Sequence, residues 1–264
     1  HNVNDREVIN NKISAEKASL FFRNNNSKII IVPGFIAQDE NGNITTLGRG
    51  GSDYTASLLA NYINADILEI WTDVSGVYTA NPKLVTQAQP IDKLSFQEAM
   101  ELSHFGAKVI YPPTLQPLIE KNIPLLIKNT FDTSAKGTFI NENNFTQDKS
   151  QIVKGVSHIE KVSLVNLEGS GMVGIPGFSK RLFECLSQKK INVIMITQAS
   201  SEHSICIGVK SEDALIAKEA IDENFALEIS LKKVDPVKIE SNMTNIAIVG
   251  DSMKDHQGIS GRFF

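Results

Sequence analysis

Up to about residue 140 the chain alternates short apolar runs with longer amphipathic segments, and this alternation limits the possible folds more than any other feature. In order come KIIIVPGFIA, SDYTASLLANYINA, ILEIWTD, SFQEAMELSHFGAKVI, PPTLQPLIEKN and IPLLIKNT. They read as strand, helix, strand, helix, helix and strand, the grammar of an α/β layered domain. The pair Pro112-Pro113 suits the first turn of a helix and separates two helices. Residues 139–151, FINENNFTQDKSQ, are polar and without periodicity, so they read as a linker. The expected division is an α/β region over 1–140, a linker over 141–151 and a second region over 152–264.

The rhythm then changes. KVSLVNLEG reads as a strand, and PGFSKRLFECLSQKK as a helix with Phe178, Leu182, Phe183 and Leu186 on its apolar face. INVIMITQAS and HSICIGVK follow as two strands, and SEDALIAKEAIDENFA as a second helix. With ISLKKVDP as a further strand, this β-α-β-β-α order predicts a small ferredoxin-like α+β module. The tail TNIAIVGDSMKDHQGISGRFF restarts the pattern as strand, glycine loop and helix start, so a second copy is expected to be cut off.

Composition excludes several functions. Lys and Arg number 26 against 30 Asp and Glu, and no block of like charge stands out, which argues against nucleic-acid binding. The longest apolar run falls far short of the roughly 18 residues that span a bilayer. The N-terminus HNVNDREVINNK lacks the apolar stretch of a signal peptide, and the reading is cytoplasmic. Cys185 and Cys206 sit inside apolar helix and strand patterns and read as reduced core thiols. The five histidines have no zinc spacing, and no metal-ligand set is expected.

Three segments carry candidate chemistry. TTLGRGGSDYTA, residues 45–56, puts Arg49, Gly50 and Gly51 ahead of Ser52 and Asp53 at a helix start. Helix N-termini and glycines suit an anion, and the arginine fork suits a carboxylate or phosphate. A bare turn with Ser52 or Asp53 as N-cap explains the same residues. WTDVSGVYTANPK places Thr72 and Asp73 at the end of a strand, where open α/β sheets bind ligands. Tyr78 and Lys83 follow in a loop that could wrap a nucleotide or lie idle on the surface. HFGAKVIYPP sets Lys108 near a helix end, where it could also simply favour the dipole. A fourth segment, GSGMVG at 169–174, satisfies G-x-G-x-x-G. A dinucleotide site would need a parallel crossover to a strand ending in an acid, whereas INVIMITQAS ends in Gln198 and turns straight into HSICIGVK.

Together, TTLGRGGSDYTA, EIWTDVSGVYTANPK and EAMELSHFGAKVIYPPT resemble the aspartate kinases of the amino-acid kinase (carbamate kinase-like α/β/α) fold. The likeness runs on through IPLLIKNTF into ferredoxin-like ACT regulatory domains. GSGMVGIPGF and INVIMITQASSEHS resemble the bifunctional aspartokinase/homoserine dehydrogenase type. The resemblance implies phosphoryl transfer from MgATP to the side-chain carboxylate of L-aspartate. It implies substrate binding by Arg49, Gly50, Gly51 and Ser52, and a catalytic role for Asp53, which helps hold a lysine and the substrate. It implies ATP contacts from Thr72, Asp73, Tyr78, Lys83, Lys108 and Val109, with Mg2+ held mainly by phosphates and no protein metal site. Met172, Gly174, Ile196 and Gln198 become candidates for an amino-acid effector pocket. Threonine is the expected effector and lysine the alternative. A homodimer or larger assembly through ACT domains is implied, and NAD(P) belongs only to a dehydrogenase domain outside these residues.

Departures from the family pattern accompany the match. Lys83 stands where Arg is usual, and Asn81 where Asp is common. Lysine keeps the charge and loses the two-pronged fork, which predicts modestly altered ATP affinity. The family's opening Lys-Phe-Gly-Gly loop, which supplies a phosphate-binding lysine, is not in the sequence. Asn2 to Lys12 resembles the middle of the kinase domain, so the expectation is a fragment that does not turn over alone.

Overall fold

The computed structural model describes residues 2–3, 6–7, 9–104, 109–142, 152–198 and 203–263. The chain divides into two compact units: His1–Ser157 with Ala247–Phe264, and His158–Ile246. Residues 247–264 therefore pack with the first unit.

The first unit opens with a two-residue pairing of β1 (Asn2–Val3) and β2 (Arg6–Glu7), followed by α1 (Asn11–Asn24). A hairpin of β3 (Ile36–Gln38) and β4 (Ile44–Thr46) leads into α2 (Gly51–Ile63) and β5 (Leu68–Thr72). After β6 (Lys93–Ser95) come α3 (Phe96–His104), a 3-10 turn at Pro112–Thr114, α4 (Leu115–Lys121), β7 (Leu125–Asn129) and β8 (Thr138–Asn141). The sheet order is β5-β7-β8-β6, with β5 parallel to β7, β8 antiparallel to β7, and β6 parallel to β8. Ile70, Leu94, Leu125, Ile127 and Ile140 of the sheet form one buried core with Ala60, Leu102, Leu115 and Leu118 of the helices.

Local chemistry explains the element ends. Asn64 and Asn122 close α2 and α4 in the left-handed region, φ 53° and 52°, where asparagine is the most tolerant residue after glycine. Each returns its N–H to the last helical turn. Pro112 and Pro113 occupy the 3-10 turn ahead of α4, as the sequence predicts.

The strand expected over KIIIVPGFIA forms only at its end, in β3. Residues 28–34 have no ladder partner among the described residues, and Ile29 and Ile31 are 81% and 92% exposed. An apolar run has strand propensity, but a strand exists only when a neighbour takes up its N–H and C=O groups.

The second unit is an α+β sandwich of one sheet and its helices. β9 (Gly155–Glu168) is followed by a 3-10 turn (Ser170–Met172), α5 (Phe178–Gln188), β10 (Val193–Gln198), β11 (Ser204–Lys210), α6 (Ala214–Asn224), α7 (Ala226–Ser230) and β12 (Lys238–Val249). The strand order is β10-β11-β9-β12, with β11 antiparallel to both β10 and β9. Phe178, Leu182 and Leu186 are buried as their spacing predicts, against Val165, Leu167, Ile205, Ile207 and Phe225. Arg181 ties the helices together: its guanidinium lies 4.2 Å from the Phe225 ring centre, pairs with Glu228, and donates to the Asn224 carbonyl at 2.6 Å. Cys185 and Cys206 are both free thiols.

ISLKKVDP is not the expected strand. It closes α7 and turns, because the Lys233 and Val234 amides both return to Glu228 O. The fourth strand is β12, which continues through TNIAIV; beyond it lie a 3-10 turn at Asp251–Asp255 and α8 (Ile259–Phe263), matching the expected glycine loop and helix start.

Candidate functional site

α2 has 13 residues and is about 20 Å long at 1.5 Å per residue. It runs back along β5, whose five residues span about 17 Å, after a turn at residues 64–67. The helix N-terminus therefore stands at the same end of the sheet as the C-terminal end of β5. This topology brings Arg49, Gly50, Gly51, Ser52 and Asp53 to the same end as Thr72 and Asp73.

At the helix start the cap is Gly50, φ 71° and ψ 11°, rather than Ser52 or Asp53, which lie in the first turn. The left-handed backbone that enters the helix suits glycine, and the polar side chains are thereby freed from capping. Arg49 is exposed and forms no ion pair among the described residues. Gly51 is buried: a methyl there would lie 2.9 Å from Leu47 Cβ and 3.0 Å from Phe35 Cδ2. Asp53 is part-buried, and burial pushes its carboxyl above the ordinary value, against a lowering by the Ser52 hydroxyl. No cation faces it among the described residues.

Two neighbours of this cap escape sequence reasoning. The Phe35 amide donates to Thr55 Oγ1 at 3.0 Å, while that hydroxyl donates to Gly51 O at 2.7 Å, which folds Pro33–Phe35 over the helix start. Tyr111 packs on Gly50, where an added methyl would lie 2.5 Å from Tyr111 Cβ. Neither contact leaves a periodic signal in the sequence.

The nucleotide candidates sit on a braced loop. Thr72 Oγ1 donates to Asp73 Oδ1 at 3.2 Å, and Thr72 O accepts the Thr130 amide at 2.8 Å. Gly76, φ 117°, passes against Thr138, whose hydroxyl accepts the Val77 amide at 2.8 Å and donates to Ile91 O at 2.6 Å. Tyr78 bridges to Pro90, and Thr79 exchanges bonds with Gln89. Asn81 Oδ1 accepts the Lys83 amide at 3.0 Å, an Asx turn that leaves Lys83 exposed. Val109 packs against the core, and Lys108 lies outside the described residues.

A separate cleft of about 340 Å³ lies in the second unit, at the N-terminus of α5. Met172, Gly174, Gly177, Ser179, Gln198 and Ile205 line it. Three of the four effector candidates thus meet there. Ile196 does not: it lies two positions before Gln198 on β10, is 57% exposed, and is not among the lining residues. Two of the GSGMVG glycines, Gly169 and Gly171, serve packing. A methyl on Gly169 would lie 2.4 Å from Lys233 O, and Gly171 N donates to that same carbonyl at 2.8 Å. The antiparallel ladders of β9, β10 and β11 exclude a dinucleotide crossover here. No group of metal-binding side chains occurs among the described residues, and no described helix is long and apolar enough to cross a membrane.

Comparison with known proteins bears on the fold and the two regions. Residues 4–129 match the amino acid kinase family, and residues 165–225 match an ACT domain. The bifunctional aspartokinase/homoserine dehydrogenase of Haemophilus influenzae is 44% identical over 237 residues, which is 90% of this chain and 29% of that protein. Lysine-sensitive aspartokinase 3 of Escherichia coli is 32% identical over 90% of this chain and 52% of its own length. The crystal structure of E. coli aspartokinase III in complex with aspartate and ADP superposes with a TM-score of 0.80 at 31% identity, covering 98% of this chain and 57% of that one. The chain thus spans about three-tenths to a little over half the length of these relatives. Its fold is aspartokinase-like, and it joins a region that matches the amino acid kinase family to one that matches an ACT domain.

Proposed function

We propose that this chain is part of an aspartate kinase that transfers the γ-phosphoryl group of ATP to the side-chain carboxylate of L-aspartate, giving 4-phospho-L-aspartate. The observation that carries the reading is the start of α2, capped by Gly50 without a side-chain bond, where Arg49, Ser52 and Asp53 stand at the same sheet end as Thr72 and Asp73. Arg49 offers a two-pronged partner for a substrate carboxylate, and the helix start beside Gly50, Gly51 and Ser52 offers amide donors and the positive end of the dipole to an anion. Asp53, part-buried without a cation, is suited to the substrate ammonium or to a lysine from another segment. Thr72, Asp73, Tyr78, Lys83, Lys108 and Val109 would contact ATP. Both reactants are anions, so the residues act by neutralising charge and aligning oxygens. Mg2+ would rest mainly on the phosphates and water.

The relatives support a parent protein that also carries homoserine dehydrogenase with NAD(P), and a place at the first step of lysine, threonine and methionine biosynthesis. The cleft at Met172, Gly174 and Gln198 would take an amino-acid effector, threonine in preference to lysine. ACT sheets pairing edge to edge would give a homodimer or larger assembly in the cytoplasm. ADP release by the full-length protein, measured with aspartate, with homoserine, and with threonine added, tests the reading. Absence of aspartate-dependent release overturns it.

A second reading has its own observation. The cleft lies wholly within the second unit, so the chain can serve as an amino-acid sensor without catalysis. Threonine binding by a chain with no kinase activity in its full-length form would favour it.

A further inference from the structure

Tyr111 stands where the acceptor loop meets the chain that continues from the nucleotide segment. A methyl added at Gly50 would lie 2.5 Å from Tyr111 Cβ and Cγ and 2.8 Å from Cδ1, so the base of the ring touches the backbone of the left-handed cap. Beyond Tyr111 the chain is zipped along α2. Ser57 Oγ donates to Thr114 O at 2.5 Å, and Asn61 Nδ2 donates to Pro117 O at 2.7 Å. Lys121 Nζ returns to Asn61 O at 2.6 Å. Gly50, Ser57 and Asn61 are spaced seven and four apart and so share one helical face. Ser57 and Asn61 are both buried, and a slip of one residue would strand buried polar groups. The register between α2 and residues 111–121 is therefore fixed.

Val109 lies two positions before Tyr111, and Ile110 between them is buried in the core. We infer that Tyr111 is a positioning residue: its ring, held against Gly50, sets the separation between the acceptor loop Arg49–Asp53 and the nucleotide segment that ends at Val109. This rests on the aspartate kinase reading. In-line transfer between two bound anions tolerates little misplacement, and an error of about 1 Å costs up to roughly a hundredfold in rate. The three nearest atoms in this contact are Cβ, Cγ and Cδ1, at the base of the ring. The ring is the working part, so phenylalanine should replace it and alanine should not.

The test uses the full-length protein and steady-state ADP release with aspartate and ATP varied in turn. Tyr111→Ala is expected to raise KM for aspartate and lower kcat, together roughly ten- to a hundredfold in kcat/KM. Tyr111→Phe should restore both constants. Where Tyr111→Ala does not fold, Tyr111→Leu keeps the apolar bulk without the plane, and is expected to raise KM for aspartate in the same direction. Wild-type constants in the alanine or leucine variant, or a phenylalanine variant as impaired as alanine, overturn the inference. An inactive wild type overturns the kinase reading and this inference with it, whereas an active wild type indifferent to Tyr111 overturns this inference alone.

Discussion

The Ser95 hydroxyl donates to Asp251 Oδ2 at 2.6 Å, joining the start of α3 to a loop 156 residues away. Glu98 closes the same knot: one of its oxygens accepts the Ser95 amide at 3.0 Å, the other accepts the Asp251 amide at 3.1 Å, and its own amide donates to Ser95 Oγ. This is a capping box extended to a distant segment. Glu98→Ala leaves two amides without acceptors in a buried setting and should destabilise the first unit by about 2–3 kcal/mol. Glu98→Gln keeps one acceptor oxygen and should cost about half as much. A urea titration checks both, with a lowered midpoint at unchanged slope as the expected result.

Thr138 has the same kind of leverage over the candidate nucleotide loop. Its buried hydroxyl serves Val77 N and Ile91 O at once, and Gly76 is so close that a methyl there would lie 2.3 Å from Thr138 Oγ1. Thr138→Val keeps the volume and removes both bonds, for an expected loss of about 2 kcal/mol, while Thr138→Ser should be mild. Hydrogen exchange at the Val77 amide should quicken in the valine variant ahead of global unfolding. Unchanged exchange there would show that Thr138 does not brace the loop.

What the sequence revealed follows from which interactions leave a period. Leu182 and Leu186 are four apart, and their burial was legible because a helix face repeats. Met172, Gly174 and Gln198 were legible only through family likeness, since they meet from a turn and a strand end. The exposed Ile29 and Ile31 show the limit of propensity, because pairing decides whether an apolar run becomes a strand. The residues that escaped, Phe35, Tyr111 and Thr138, act through single contacts to backbone distant in sequence. Such contacts depend on the finished fold and write no repeat into the chain.

Asp53 should make stability fall with rising pH. Its folded-state pKa is raised by burial, so the folded chain holds the proton more tightly than the unfolded one. That contribution is fully present below 3.8, the ordinary value, and is lost as pH rises through the raised folded value. Asp53→Asn removes the titration, so its stability relative to wild type should climb over that window. The helix dipole opposes this, favouring the wild-type carboxylate by about 0.3–1 kcal/mol, so the expected net gain at neutral pH is small. In the full-length protein the same variant should lose aspartate-dependent ADP release. Denaturation midpoints from acid to neutral pH check the first part, and a flat difference between the two proteins would contradict it.

Gln198 ends β10 at the cleft beside Met172 and the start of α5, whereas Ile196 on the same strand stands outside it. The two positions therefore separate a ligand contact from a general effect on the strand. The Gln198 amide can donate to a carboxylate or accept from an ammonium, and loss of one such bond is worth about 1–1.5 kcal/mol, roughly tenfold in effector affinity. Gln198→Ala in the full-length protein should raise the threonine concentration for half-maximal inhibition of ADP release by about that factor. Ile196→Ala should leave that concentration where it was. Lysine run in parallel distinguishes the two candidate effectors, since only the one that fills the cleft should respond to Gln198. Inhibition by both amino acids that is indifferent to Gln198 would remove the cleft from the regulatory pathway.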